Sequence, residues 1–299
     1  MRILPTIRLE ENSTRQGVLF MIAAILFFTL MDALAKGLTQ RYEPMMVVWA
    51  RYTGQVAWTL VMLSPILFRV IGTKHIKMQL LRSVLLFGAT FSFYSGLSGL
   101  KLAQATAIFE VAPLILTGLA VLVLKEKVGL RRWAGVGAGM IGALIIIRPG
   151  TDVFTPYALF PLAAAFCYSA YAIATRFLGS EESAWTSFFY TGLFGALAAS
   201  LMVAPVWETP SLPDAGIMVV LGAIGGLAQL LLIFAIRAAP ASVLAPFSYV
   251  GLAFATLWGV FFFGEFPDGF TVMGAAVIVG AGLYVWYRET KVVPQRQDV

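Results

Sequence analysis

Long apolar runs separated by short polar segments fill most of the chain. Most of these runs are close to the roughly 20 residues that a helix needs to cross the hydrocarbon core of a bilayer. Cutting them at glycines, prolines and charge clusters predicts ten transmembrane helices, at 17–38, 44–68, 78–100, 103–124, 130–148, 156–178, 184–205, 213–237, 240–263 and 270–288. The first run lacks a small-residue cleavage pattern, so it is interpreted as a retained span. The predicted fold class is therefore all-α and integral to the membrane.

One part of this pattern occurs twice. The stretch Ala103–Lys127 returns in altered form at Ala239–Phe266, and each follows a cation, runs through apolar residues and reaches a glutamate, Glu126 or Glu265. At an offset of 139 the matching pairs are Val111 and Val250, Thr117 and Thr256, Val121 and Val260, Glu126 and Glu265, and Gly135 and Gly274. A chain built twice on one hydrophobic plan is typical of transporters with internal repeats.

The predicted division between the two repeats lies near 149–156, where prolines and glycine interrupt the helical pattern. We predict a first five-helix repeat at 17–148, a second at 156–288, and tails at 1–16 and 289–299. Because five is an odd number, the second repeat must enter the membrane from the opposite side. Two inverted repeats that meet at mid-membrane favour transport by alternating access.

Composition and charge support a membrane protein and its orientation. The chain is 60% hydrophobic and 12% charged, against about 25% charged residues in ordinary soluble domains. Sixteen lysines and arginines fall in segments on the side of the N-terminus and four on the other side, which predicts cytoplasmic termini. The net charge of +6 is therefore attributed to orientation and not to nucleic-acid binding. With Cys167 as the single cysteine and His75 as the single histidine, no disulfide framework, metal site or cofactor is expected.

Three ionisable residues are predicted inside spans: Asp32, Arg51 and Glu110. Charges in such positions are costly and usually face a cavity or a partner. Counting residues places all three about 9–11 Å from the same membrane surface, so they are expected to surround one point. Asp32 and Arg51 are also open to a structural interpretation, as an ion pair that fastens two helices. Glu110 has no evident charged partner, which favours a role in a cavity.

Polar and aromatic residues of other spans are candidates for the same cavity. They are Tyr94, Tyr168, Tyr171, Gln229 and Tyr249. Such a lining would hold a small amphipathic solute through ring stacking and hydrogen bonds, whereas plain packing is the alternative for each tyrosine. The prolines within spans are Pro113, Pro161 and Pro246. Each removes a helical hydrogen bond, and each is either a hinge or a static kink.

Sequence motifs for catalysis give no support to an enzyme. Residues Gly137–Gly142 match G-x-G-x-x-G, but the match lies inside a predicted membrane helix and not between a strand and a helix start. There is no H-E-x-x-H, G-x-S-x-G or P-loop pattern, which argues against a pump driven by ATP. A membrane-embedded lipid enzyme would require a catalytic cluster that is missing here. A channel stays open as a further alternative.

At this point the chain resembles the drug/metabolite transporter superfamily, EamA type. The resemblance rests on Ala35-Lys36, on Trp49-Ala50-Arg51-Tyr52, and on the stretch from Leu102 to Gly135 with its echo from Ala239 to Glu265. It implies ten helices in two repeats and a bacterial inner-membrane exporter of small metabolites. Within the superfamily, the amino-acid exporters, including those of aromatic amino acids, are the favoured branch. Other branches carry nucleosides, vitamins, drug-like cations or S-adenosylmethionine.

The hypothesis from sequence is a secondary transporter that exports amino acids or related metabolites. An amino acid is a zwitterion, so its site needs a cation and an anion close together. Arg51 is expected to hold the carboxylate, and Glu110 or Asp32 the ammonium group. If Asp32 and Arg51 satisfy each other, tyrosines, Gln229 and backbone amides would bind the carboxylate instead. Proton coupling through Glu110 is a further option, and we expect a monomer or a weak homodimer.

Overall fold

A computed structural model describes residues 13–64, 70–124, 130–151, 154–178, 182–239 and 244–291. Every regular element in these residues is helical, as predicted. The α-helices are α1 (Ser13–Thr39), α2 (Pro44–Leu63), α3 (Ile76–Leu97), α4 (Leu102–Phe109), α5 (Ala112–Leu124), α6 (Leu130–Ile147), α7 (Leu159–Leu178), α8 (Ala184–Val203), α9 (Leu212–Ala238), α10 (Val250–Phe263) and α11 (Gly269–Lys291). Short 3-10 segments lie at Pro156–Ala158, Ala204–Val206 and Ala245–Tyr249.

Several of these helices meet the length and hydropathy of a membrane span. Within the described residues, seven do so: Arg15–Thr39, Ile76–Leu97, Leu102–Val123, Pro156–Thr175, Trp185–Val206, Leu212–Ala235 and Gly269–Tyr287. The apolar helices Trp133–Ile147 and Phe247–Phe263 are shorter. Large apolar side chains such as Leu201 and Leu212, 81% and 90% exposed, cover the outside of the bundle, where lipid replaces water as the solvent. A count of ten spans stays a prediction.

The main helix interfaces join the two halves of the chain to each other. The extensive pairs are α1 with α9, α3 with α7, α2 with α8, and α6 with α11. If the halves are superposed helix by helix, α1 corresponds to α7 and α3 to α9, so the first two pairs exchange with each other. The pairs α2–α8 and α6–α11 map onto themselves. The core of the protein therefore lies between the two halves and not within either one.

Glycines bring helices of opposite halves into backbone contact. A Cβ added to Gly54 in α2 would lie 2.7 Å from the Cα of Gly222 in α9, and one added to Gly222 would lie 2.5 Å from the Cα of Gly54. Gly142 in α6 and Gly274 in α11 make a similar contact, with added Cβ atoms 2.8 and 2.6 Å from the opposite carbonyl oxygens. Such small residues let membrane helices approach closely and gain dispersion contacts.

We predict that Gly222→Ala destabilises the protein, because its new methyl group meets backbone that has no rotamer to escape into. The expected loss is about 1–3 kcal/mol of folding stability, as for overpacked cores, seen as a lower midpoint of thermal unfolding in detergent. Gly216→Ala in the same helix is the control, since a Cβ there has no neighbour within 4 Å. Equal melting midpoints for the two variants would contradict the contact.

Candidate functional site

Two breaks interrupt helices at corresponding places in the halves. The predicted span 103–124 is divided into α4 and α5 at Glu110 and Val111. Val111 N–H donates to Ile108 at 3.3 Å, a 3-10 type bond, and Pro113 has no N–H with which to continue the α-helical ladder. The predicted span 240–263 contains the 3-10 segment Ala245–Tyr249 before α10 begins. Discontinuous helices of this kind form the substrate sites of many transporters.

The break in the first half is tied to the second half by one hydrogen bond. Ser169 in α7, which is fully buried, donates its hydroxyl to the carbonyl oxygen of Ala112 at 2.8 Å. A carbonyl oxygen has two lone pairs, so Ala112 can accept this bond in addition to a bond within its own helix. The bond fixes the start of α5, two residues after Glu110, against α7.

Glu110 lies at the break with its carboxyl group facing other elements of the bundle. Its Oε1 atom would lie 3.6 Å from a Cβ on Gly251 of α10, and the methyl group of Thr29 in α1 borders the same position. Tyr168 packs against Phe109, the residue before Glu110, with ring centroids 5.5 Å apart, and Tyr249 directly precedes α10, the helix of Gly251. Glu110 is half-buried, and the described residues offer it neither a hydrogen bond nor an ion pair. This carboxyl group is therefore available to a ligand.

Arg51 is the centre of a second polar group. One of its Nη atoms donates to Thr90 Oγ1, and the guanidinium lies 5.1 Å from the ring centroid of Tyr52 and 5.9 Å from that of Tyr94. The Tyr52 hydroxyl lies 3.0 Å from the same Thr90 oxygen. The Nε of Arg51 and the hydroxyl of Tyr94 are buried without a partner among the described residues. Buried donors without acceptors are costly, and an acceptor from a ligand would satisfy them.

Asp32 is near Arg51 but does not pair with it directly. Their charges interact, yet the ion pairs within 4.0 Å among the described residues do not include these two. Asp32 also lies three residues from Thr29 on α1, about 4.5 Å along the helix axis, and Thr29 borders the Glu110 site. Asp32 thus connects the Arg51 group with the Glu110 group.

The remaining predicted residues have different surroundings. Tyr168 and Tyr171 pack ring to ring, with centroids 6.0 Å apart, and Tyr168 also packs against Phe109 at 5.5 Å. The hydroxyl of Tyr249 packs against α11, 1.6 Å from where a Cβ on Gly282 would lie. Gln229 is half-buried in α9, and no hydrogen bond joins it to a described residue. The aromatic pair is therefore the best-defined part of this lining.

The three candidate hinge prolines fall near helix starts. Pro113 is the second residue of α5 and Pro161 the third residue of α7, whereas Pro246 is the second residue of the 3-10 segment before α10. A proline in the first helical turn loses no hydrogen bond within its own helix. Their role as hinges stays a prediction.

Two buried cations were counted with the loop cations in predicting the orientation, although each lies near the end of a predicted span, Lys36 in 17–38 and Arg82 in 78–100. Arg82 is 2% exposed and Lys36 is 3% exposed. Helix α3 begins at Ile76, so Arg82 lies more than one turn inside it. A cation within two turns of a helix end looks the same in sequence whether it points into the bundle or toward water.

Lys36 belongs to a set of contacts that closes one end of the bundle, called here the Lys36 end. Its Nζ pairs with Glu265 Oε1 at 3.0 Å and donates to the carbonyl of Leu100. Glu265 Oε2 also accepts from the backbone N–H of Leu102 at 3.0 Å, and Lys101 donates to the carbonyl of Phe266 at 2.9 Å. One carboxylate thus fastens the end of α1 and the start of α4 to the loop before α11.

Two further ion pairs lie at the same end. Arg148 pairs with Asp268, and Arg41 pairs with Asp214, which also accepts from the Tyr42 hydroxyl at 2.8 Å. Partial burial would raise the pKa of Asp268, but hydrogen bonds from Thr271 and Arg148 lower it to about 2. The Asp268 contact therefore stays ionic at any physiological pH. In all three ion pairs the cation comes from the first half of the chain and the acid from the second.

The opposite end, called here the Lys74 end, is more open. Glu182 Oε1 accepts from the Thr73 hydroxyl at 2.9 Å and from the Lys74 N–H at 3.2 Å. Around these residues lies an open cavity of about 720 Å³, lined by Gly72–His75 and Glu182. It is separate from the Glu110 and Arg51 groups, so we regard it as a vestibule-like surface and not as the substrate site.

Comparison with known proteins relates the whole chain to one family. The model of the EamA-like transporter family matches residues 15–148 and 155–287. A crystal structure with 20% sequence identity superposes on 94% of this chain and 99% of its own with a TM-score of 0.66, which shows the same fold.

Curated relatives align over nearly their full length. The S-adenosylmethionine uptake transporter of Rickettsia prowazekii is 27% identical over 285 residues, covering 94% of this chain and 96% of its own. The riboflavin transporter of Vibrio cholerae is 30% identical over 284 residues, covering 92% and 94%. The pseudopaline exporter of Pseudomonas aeruginosa is 26% identical over 278 residues, covering 89% and 94%.

Proposed function

The chain belongs to the EamA-like transporter family and is a multi-pass membrane transporter of a small metabolite; we propose that its substrate is an amino-acid-type zwitterion that carries a heteroaromatic ring, with S-adenosylmethionine as the leading candidate. The observation that carries the proposal is the combination of unpartnered groups in the interior. Arg51 and Tyr94 hold donors without acceptors, and Glu110 holds a carboxyl group without a donor.

Charge complementarity favours this substrate over a simple amino acid. The site combines two carboxyl groups, Asp32 and Glu110, with the guanidinium of Arg51, so it carries two negative charges and one positive charge when a dicationic ligand keeps both carboxyl groups ionised. S-Adenosylmethionine carries a carboxylate, an ammonium and a sulfonium group, so its charges are the opposite of those of the site. Opposite charges attract strongly where water is excluded. The carboxylate is assigned to Arg51 and Tyr94, and the two cationic groups to Asp32 and Glu110.

The relatives support the same choice. Four S-adenosylmethionine uptake transporters from Rickettsia species are 26–28% identical and align with 94% of this chain. The aromatic amino-acid exporter branch gains no such support from the relatives described above. Export of an ordinary amino acid through the same zwitterion contacts stays the simpler alternative, and competition experiments separate the two.

The mechanism proposed is alternating access by two inverted repeats, at 17–148 and 156–288, with ten spans and cytoplasmic termini in a bacterial inner membrane. The helix interfaces support this arrangement, because superposing one half on the other turns the α1–α9 interface into the α3–α7 interface. So do the helix breaks at Glu110 and Tyr249, which lie 139 residues apart. The direction of net flux then follows the gradients of substrate and of any coupled proton.

The test is uptake of radiolabelled S-adenosylmethionine by proteoliposomes that contain the purified full-length protein. Saturable uptake, stimulated several-fold by unlabelled substrate inside the vesicles and competed by methionine, is the expected result. Counterflow of this kind also argues against a channel. The proposal is rejected if S-adenosylmethionine is not taken up, or if methionine does not inhibit its uptake.

Riboflavin is the second candidate, because the transporter of Vibrio cholerae is 30% identical to this chain and the aromatic lining suits a flavin ring. Riboflavin has neither carboxylate nor ammonium group. Its transport would therefore leave Arg51 and Glu110 without a role, and riboflavin counterflow without S-adenosylmethionine counterflow would establish it.

A further inference from the structure

Arg82 is a buried arginine whose hydrogen bonds to described residues leave two of its five N–H donors without an acceptor. Its Nε donates to Thr175 Oγ1 at 2.8 Å, Nη1 to Gln79 Oε1 at 2.8 Å and Nη2 to the Tyr171 hydroxyl at 3.1 Å. A guanidinium has five N–H donors, so each Nη keeps one N–H for a further acceptor. These contacts hold the plane of the guanidinium fixed between α3 and α7.

The charge of Arg82 is balanced indirectly, by Glu182, with Gln79 between them. No carboxylate of a described residue lies within 4.0 Å of it, but Gln79 Nε2 donates to Glu182 Oε2 at 3.3 Å. Glu182 therefore offsets the positive charge without occupying the donors of Arg82. The free N–H groups suit a neutral acceptor better than a second carboxylate.

A row of aromatic rings connects Arg82 with the Glu110 site. The guanidinium lies 5.0 Å from the ring centroid of Tyr171. Tyr171 packs against Tyr168 at 6.0 Å, and Tyr168 packs against Phe109 at 5.5 Å, the residue that precedes Glu110. Tyr168 is 39% exposed, so part of its surface is free of protein contacts.

The two arginines are separated by a length of helix that suits an elongated substrate. Thr90, which binds Arg51, and Arg82 both lie on α3, eight residues and therefore about 12 Å apart along the axis. Tyr52 packs on Arg51, whereas Tyr171 packs on Arg82. The interior thus offers a carboxylate-binding cation at one level and a ring-stacking surface with a donor at another.

We propose that Tyr168, Tyr171 and Arg82 form a subsite for the heteroaromatic ring of the substrate. The ring stacks on Tyr168, and a ring nitrogen accepts a hydrogen bond from a free N–H of Arg82. This inference rests on the proposed function, which it deepens by assigning the ring to the Arg82 end and the carboxylate to the Arg51 end of the proposed site. Arg82 then determines specificity for the ring and not for the zwitterion.

The test measures competition against labelled S-adenosylmethionine in proteoliposomes of wild type and Arg82→Gln. The competitors are adenosine, which has the ring without the zwitterion, and methionine, which has the zwitterion without the ring. Loss of a hydrogen bond to a charged donor is expected to raise the inhibition constant of adenosine about 10- to 100-fold. The inhibition constant of methionine is expected to change less than about twofold, since its contacts lie at Arg51 and Glu110.

Tyr168→Leu is the second variant, because it removes the stacking surface and leaves the hydrogen bonds of Arg82 in place. It is expected to weaken adenosine about 10-fold, as stacking contacts on a base do, again without effect on methionine. Arg15→Gln, at the exposed start of α1, is the matched control and should weaken neither competitor.

The ring subsite is rejected if adenosine does not compete in wild type, or if Arg82→Gln weakens both competitors equally, as a purely structural role would. It is also rejected if Tyr168→Leu leaves adenosine inhibition unchanged. Failure of the proposed function looks different, because wild type would then show no S-adenosylmethionine uptake, or an uptake that methionine does not inhibit.

Discussion

Replacing Arg51 by glutamine is expected to lower the initial rate of S-adenosylmethionine uptake at least about 100-fold, equivalent to about 2.7 kcal/mol. The guanidinium is held by Thr90 and by the faces of Tyr52 and Tyr94, and its Nε has no partner in the described residues. A carboxylate bound there gains charge-assisted hydrogen bonds in a site screened from water. Glutamine keeps some hydrogen bonding but loses the charge. The measurement is initial uptake at fixed substrate concentration, normalised to reconstituted protein.

Two controls separate charge from geometry at this position. Arg51→Lys keeps the charge and loses the planar fork, so an intermediate rate is expected. Arg15→Gln removes an exposed arginine at the start of α1 and should leave the rate unchanged. Wild-type rates in Arg51→Gln would remove this residue from the site.

The Glu110→Gln variant tests whether Glu110 binds a different group of the substrate from the one that Arg51 binds. A carboxylic acid that lacks the amino group, such as 4-(methylthio)butanoate, should still compete in Glu110→Gln protein and should fail to compete in Arg51→Gln protein. The two residues would then hold opposite ends of the zwitterion. Equal loss of this competitor in both variants would contradict the assignment of a cationic group of the substrate to Glu110.

Replacing Glu265 by glutamine is expected to cost about 3–5 kcal/mol of folding stability, because it leaves the buried Lys36 without its counter-ion. Lys36 is 3% exposed, and its side chain lies 3.0 Å from the Glu265 carboxylate. Glutamine still accepts a hydrogen bond from Leu102 N–H, so the effect isolates the charge. The midpoint of thermal unfolding in detergent should fall by roughly 5–10 °C.

The Lys36→Met variant completes a double-mutant cycle. It leaves Glu265 charged, but that side chain is 19% exposed and keeps its bond to Leu102, so the expected loss is smaller. The double variant should recover most of the stability lost in Glu265→Gln, because the uncompensated cation is gone. A double variant as unstable as Glu265→Gln would show that the carboxylate acts through Leu102 and not through Lys36.

The sequence pattern predicted the helical fold and the position of Glu110 inside a span, and it did so for separate physical reasons. Periodicity and length are local properties, so the helices followed from composition alone, and the cost of burying charge singled out Asp32, Arg51 and Glu110. Pro113 gave the local signal for the break beside Glu110. Local sequence patterns could not predict tertiary contacts such as the Lys36–Glu265 ion pair, because its residues are 229 positions apart. Nothing local distinguishes Arg82, inside α3, from a loop cation.

Substrate identity was harder to predict than a set of candidate binding residues. Amino acids and S-adenosylmethionine share a carboxylate and an ammonium group, so one pair of charges serves both. The feature that separates them is the ring, and its proposed subsite depends on Tyr171 and Arg82 meeting across α3 and α7. Tyr171 was a candidate from the sequence, but Arg82, at the start of the predicted span 78–100, was counted with the flanking cations, so the pair could not be foreseen.

The distribution of charge at the Lys36 end has a consequence for how far the two halves are interchangeable. Cations there come from the first half and carboxylates from the second, as in Arg41–Asp214 and Arg148–Asp268. At an offset of 139, Glu126 of the first half corresponds to Glu265, whereas Gly129 corresponds to Asp268. Two copies of the first half, assembled as an antiparallel dimer, would therefore keep a carboxylate for Lys36 but would have none for Arg148. The Arg148–Asp268 ion pair depends on this difference between the halves, so a dimer of first halves would lose it.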